Sequence, residues 1–143
     1  MKYVYAAILI PAEEGFMVEV PDLPGCITCG ESISDALEMA QDAIEMWLWD
    51  AENKNEAIPK ASDKSEIAKA AKSEEHLINL IVADTDRYRR ENDTRAVKKT
   101  LSIPLWLNSK AEKANAPFSQ ILQQGLKAYL DSQNQSSSHV HKQ

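Results

Sequence analysis

AVKKTLSIPLWLNSKAEKANAPFSQILQQGLKAYL, residues 96–130, is where the chain changes character. Alternation over 98–104 puts Lys98, Thr100 and Ser102 on one face of a strand and Lys99, Leu101 and Ile103 on the other. Pro104 closes the strand and suits the first turn of a helix over 105–114, in which Leu105, Leu107 and Ala111 are the residues able to bury. Asn115 and Ala116 break that helix. A second one starts near Pro117 and carries Phe118, Ile121, Leu122, Gly125, Leu126, Tyr129 and Leu130 along one side. One strand and two helices of this size cannot bury a sufficient core, because domains below roughly 40 residues usually need metals, disulfides or association. The sequence therefore predicts a second copy. With the two strands paired antiparallel, Leu101, Ile103, Leu105, Ile121, Leu122 and Leu126 form a dimer core. The opposite face becomes a two-stranded ribbon sized for the DNA major groove, where Lys98, Thr100 and Ser102 read base edges. Free N–H groups near Phe118 and Ser119, with the Ser119 hydroxyl, are placed to hold a phosphate.

Upstream of this segment the pattern is mixed α and β. Residues 2–10 are rich in Tyr, Val and Ile and run into a turn at Glu13, Glu14 and Gly15, which describes a strand and a hairpin. The strand at 16–20 ends at Pro21, and Asp22, Leu23, Pro24 and Gly25 supply turn chemistry before a short third strand at 27–30. Ser32 is an N-cap with Asp35 as the acidic half of an approximate capping box. Behind it Ile33, Ala36, Leu37, Ala40, Ala43, Ile44, Trp47, Leu48 and Ala51 keep the spacing of one buried helix face. Asp35, Glu38, Asp42 and Glu45 are expected on the solvated face. Residues 60–75 form a charged, alanine-rich connector with room for one short helix capped by Ser62 or Asp63. LINLIVAD, residues 77–84, is a continuous apolar run of strand length, expected in the interior of the sheet. The fold class is α+β: an amino-terminal β-β-β-α-β domain over 1–84, a polar helix or linker over 85–95, the strand-helix-helix domain over 96–131, and a disordered tail over 132–143.

Composition narrows the function. The chain has 143 residues with 43% hydrophobic side chains and a mean hydropathy of -0.43, ordinary values for a globular protein. Its apolar stretches are far shorter than the roughly 18 residues of a spanning helix, so no membrane is expected and the location read from the sequence is cytoplasmic. Cys26 and Cys29 are the only cysteines. Three residues apart on a strand, they point to opposite faces and do not grip one ion, so no metal site and no cofactor are expected. Charge is divided along the chain. Residues 1–95 carry 20 acidic and 10 basic side chains, net -10, while residues 96–143 carry 2 acidic and 6 basic, net +4. Such asymmetry suggests an acidic part that meets a basic partner and a basic part that meets phosphate.

Residues 96–130 resemble the ribbon-helix-helix family, with its short alternating strand, a proline opening the first helix, a tight turn, and a second helix with a polar first turn. The turn differs, since the family often has Gly and a Ser or Thr cap where this chain has Asn115, Ala116 and Pro117. FMVEVPDLPGCITCGESISDALEMA (16–40), followed by a long helix, resembles the amino-terminal domain of the HicB antitoxins. RYRRENDTRAVKKTLSIPLWLN (87–108) resembles the HicB subgroup that carries a ribbon-helix-helix. The resemblance implies a degraded ribonuclease-H-like first domain that binds and occludes HicA, a small basic messenger-RNA-cleaving toxin, and a second domain that represses the operon through operator DNA. It also implies no catalytic residues in this chain. Within the first domain Pro21, Asp22, Leu23 and Pro24 are the candidate toxin contacts. A homodimer is expected, with further association into a tetramer where a sheet edge is exposed.

Two other functions are open to the sequence alone. One is a ligand-responsive repressor without a toxin partner. The other is a metal-dependent nuclease using Glu19, Asp22, Glu31 and Asp35, although acids near a helix start are expected from the helix dipole anyway. No Ser, His and Asp set suggests a triad: His76 is isolated, and His139 and His141 lie in the Ser-rich tail.

Overall fold

The Tyr, Val and Ile residues near the amino end form β1 (Lys2–Pro11), which turns into β2 (Phe16–Glu19) and is followed by β3 (Ile27–Gly30). Gly15 makes the first turn with φ +80°, and a Cβ there would lie 2.2 Å from the Gly30 carbonyl oxygen. Backbone conformation and close approach both require glycine at that position. Next come α1 (Ile33–Lys54), α2 (Lys64–Ala70), β4 (Leu77–Asp84) and α3 (Thr85–Asn92). This computed structural model describes residues 1–138. The chain divides into two compact units between Ala96 and Val97.

In the first unit the sheet order is β3-β2-β1-β4, and every neighbouring pair is antiparallel. One face of the sheet, through Tyr5, Ala7, Leu9, Val18 and Ile81, packs on Ala36, Ala40, Ile44 and Leu48 of α1. Burying side chains the size of Ile44 or Leu48 contributes roughly 1.5–3 kcal/mol each. Ser32 caps α1 by accepting the Asp35 N–H at 3.1 Å. The Asp35 carboxylate accepts the Glu31 N–H at 2.8 Å, one residue before the cap. The helix stops at Asn55 in the left-handed region, whose N–H returns to the carbonyls of Ala51 and Glu52. Asp63 and Glu66 close a full capping box on α2, inside the expected connector.

Two expectations are corrected here. β4 is an edge strand that pairs with β1 alone, not an interior strand. Ile81 and Ala83 enter the core, while Ile78, Leu80 and Val82 lie on the other face and are exposed. An unbroken apolar run shows that neither face wants charge, but it does not tell which flank is paired. Glu45, expected on a solvated helix face, is 2% exposed. It accepts the Asp84 N–H at 3.0 Å and a guanidinium N–H of Arg87 at 2.7 Å. Helical spacing placed it correctly beside the other acids, but the later arrival of β4 and α3 covered it.

Residues 85–95 contain α3, which is fastened to α1 by Arg87–Glu45 and by Arg89–Glu52 at 2.9 Å. Glu52 also accepts from Tyr3 and Thr85, so one carboxylate joins β1, α1 and α3.

The second unit holds α4 (Leu105–Lys113) and α5 (Phe118–Ser138), with residues 97–104 in neither helix nor strand. Asn115 turns between the helices at φ 53°. The tail expected to be disordered from 132 is helical as far as Ser138. Serines near its end donate to carbonyls three residues back, Ser132 to Tyr129 and Ser136 to Gln133. His139 and His141 lie outside the described residues. Among the described residues no helix is long and apolar enough to cross a membrane.

Candidate docking and DNA-reading surfaces

In the second unit no described residue is buried. Leu101, Ile103 and Leu105 are 58%, 46% and 80% exposed, and Ile121, Leu122 and Leu126 are exposed as well. They belong to the exposed apolar set of this unit among the described residues. Trp106 also belongs to it, under the Lys110 ammonium at 5.8 Å from the ring centroid. It was not among the expected core residues, although its place between Leu105 and Leu107 was the available signal. Lys98, Thr100 and Ser102 are exposed on a stretch that makes no ladder within one chain. Pro117 precedes α5, the Ile121 N–H returns to the Pro117 carbonyl, and Ser119 Oγ accepts from Gln123. Phe118 and Ser119 therefore sit in the first turn, where backbone donors lack helical partners.

The turn at 21–25 is a small built structure. Val20 donates to Cys26, Leu23 to Val20 and Cys26 to Leu23 along the backbone. Leu23 is buried in the core, so it is not a surface contact. Asp22 is occupied by the backbone N–H and hydroxyl of Ser62, and the Pro24 carbonyl accepts the Trp47 indole N–H at 3.1 Å. Of the four candidate toxin contacts, Pro21 and Pro24 present exposed surface. Asp35 is committed to Glu31 as Asp22 is to Ser62, so two of the four carboxylates considered for metal chemistry serve the backbone. Among the described residues no group of three or more His, Cys, Asp or Glu side chains is arranged around a common point. Cys26 is buried and its thiol is pushed up to about 11 by that burial, whereas Cys29 is exposed. Burial, then the hydrogen bond to Glu52, raises the Tyr3 hydroxyl to about 12.

A third surface was not foreseen. Leu37, Glu38 and Gln41 of α1 face residues 79–82 of β4 across an open groove of about 290 Å³. Its sequence signals were the exposed half of the apolar run in β4 and the acids beside Leu37.

The family model for HicB-like antitoxins of bacterial toxin-antitoxin systems matches residues 5–124, from β1 into the first turns of α5. The chain belongs to this family. The match spans both units, so the sheet domain and the two-helix unit are parts of one HicB-like architecture. A UPF0150 protein of Synechocystis is 38% identical over 66 residues, 46% of this chain and 88% of its own length. Among solved structures, a chain of a toxin-antitoxin complex from Streptococcus pneumoniae has a TM-score of 0.55 at 23% identity, covering 90% of this chain and 99% of the other. The crystal structure of antitoxin HicB3 has a TM-score of 0.51 at 22% identity, covering 78% and 81%. At such identities these two likenesses concern the fold. Family membership makes this HicB-like chain an antitoxin and not an enzyme.

Proposed function

We propose that this antitoxin acts in the cytoplasm as a homodimer with two tasks divided between its units. The first unit binds and occludes a HicA-like, RNA-cleaving toxin. The second pairs with its copy into a ribbon-helix-helix that represses the operon by binding operator DNA. The observation that carries this is the absence of any buried residue among those described in the second unit, beside a full set of apolar side chains on its 97–104 segment and its two helices. Such a unit is stable only when a partner covers that face, and antiparallel pairing of two 98–103 segments covers it while exposing Lys98, Thr100 and Ser102 together. Charge agrees with the division, since the net of -10 lies before residue 96 and the net of +4 after it. An acidic surface speeds and orients encounter with a basic protein, while a basic one attracts phosphate.

The test replaces Lys98, Thr100 and Ser102 together by Ala. The expected result is loss of the specific operator gel shift with the dimer mass and toxin binding unchanged. A wild-type chain that is monomeric at micromolar concentration, or an unaltered gel shift by the triple variant, would overturn the DNA-reading assignment.

A further inference from the structure

We propose that the groove between α1 and the free edge of β4 is the surface on which the toxin docks, through a segment of the toxin with an apolar centre and flanking Lys or Arg side chains. The inference rests on the toxin-binding reading above and adds its location.

Three observations lead to it. First, Leu80 and Val82, at 69% and 53% exposure, form an apolar row on an edge strand, an arrangement that folded proteins normally cover or blunt. Second, among the described residues the one charged side chain lining the groove is acidic, Glu38, and Asp42 lies one turn further along α1, next to the lining residues. Third, the edge is partly closed from within. Antiparallel alternation turns the backbone groups of Ile78, Leu80, Val82 and Asp84 toward the free side. Gln41 Nε2 already donates to the Val82 carbonyl at 2.9 Å, and Glu45 already accepts the Asp84 N–H.

These observations discriminate between occupants. A second copy adding its own β4 would need Gln41 and Glu45 displaced, and Glu45 is also held by Arg87. It would in addition bring Glu38 and Asp42 toward their own copies, which like-charge repulsion opposes. A basic protein meets neither obstacle. A partner that cleaves RNA has to hold a polyanion and so carries the cationic surface that these two acids complement. A segment laid along this edge meets Leu37 on the α1 side and Leu80 and Val82 on the opposite face of β4; those contacts supply the affinity, and Glu38 and Asp42 supply orientation.

The experiment uses the full chain as wild type, Leu80→Arg, Glu38→Lys and, as a control on the opposite sheet edge, Ile27→Arg. Each is titrated calorimetrically with a HicA-type toxin inactivated by replacement of its catalytic side chain, and each is checked for wild-type melting and operator binding. The expected result is at least tenfold weaker binding for Leu80→Arg and for Glu38→Lys, with Ile27→Arg unchanged. Should Leu80→Arg fail to fold, Glu38→Lys, a change at an exposed helix position, decides alone. Wild-type affinity in both groove variants overturns the location while leaving the toxin reading intact. The same holds if Leu80→Arg turns a tetramer into a dimer without weakening the toxin, for then a second copy occupies the groove. No binding by the wild type overturns both.

Discussion

At the scale of single residues the chain uses carboxylates as fasteners more than as chemistry. Asp22 holds Ser62, Asp35 holds the backbone before α1, Glu52 gathers Tyr3, Thr85 and Arg89, and Glu45 ties β4 to α3. None of these partners was legible in the sequence, because each lies more than 30 residues away or depends on a turn, except for the Asp35 contact, which local capping rules indicated. Burial of single groups also sets a pH dependence. Cys26 is raised from 9.0 to about 11, and Tyr3 from 10.0 to about 12. The unfolded chain loses each proton first, so the stabilisation is complete below about pH 9 and is lost as pH rises through about 11 to 12. Thermal midpoints measured between pH 8 and 12 should fall across that window. A midpoint that is flat or rising there would contradict the burial of these two groups.

At the scale of elements, the two ends of the Glu45–Arg87 pair are unequal. Glu45 is buried, whereas 42% of the Arg87 side chain is exposed. Arg87→Met leaves a buried carboxylate with the Asp84 N–H as its remaining hydrogen-bond donor and should be the more destabilising of two changes at this pair. Glu45→Gln keeps an acceptor for that N–H and lets the guanidinium meet water, for a cost of about 1 kcal/mol. Chemical denaturation of both variants checks the order, and equal losses would mean that Glu45 is better hydrated than its burial indicates. Strands and helices themselves were largely readable. Tyr, Val and Ile runs, the Pro21–Asp22–Leu23–Pro24 turn and the Ser32 cap located β1 to β3 and the start of α1, since those signals act within a few residues. The place of β4 in the sheet was not readable, because strand order depends on which edge is left over after the hairpin and α1 have packed.

At the scale of the whole molecule, the proposed division of labour predicts separable activities. The sequence suggests cutting near Asp84, but such a cut removes α3 and strands Glu45 without Arg87. A truncation after Ala96 keeps the first unit's contacts and should neutralise the toxin while losing operator repression altogether. Growth rescue in toxin-expressing cells and an operator reporter measure the two outcomes separately. Loss of rescue in a soluble, folded truncation would show that pairing through the second unit is part of the inhibitory surface.

What the sequence determined by itself is local or additive. Alternation and capping are set by neighbours a few residues apart, and the charge of each half is a sum. What the tertiary structure decided is non-local: that β4 forms an edge, that Glu45 and Leu23 are buried, that Asp22 is bonded to Ser62, and that a groove lined by Glu38 opens beside β4. These depend on which distant surfaces meet, and packing settles that only when the whole sheet and its helices have come together.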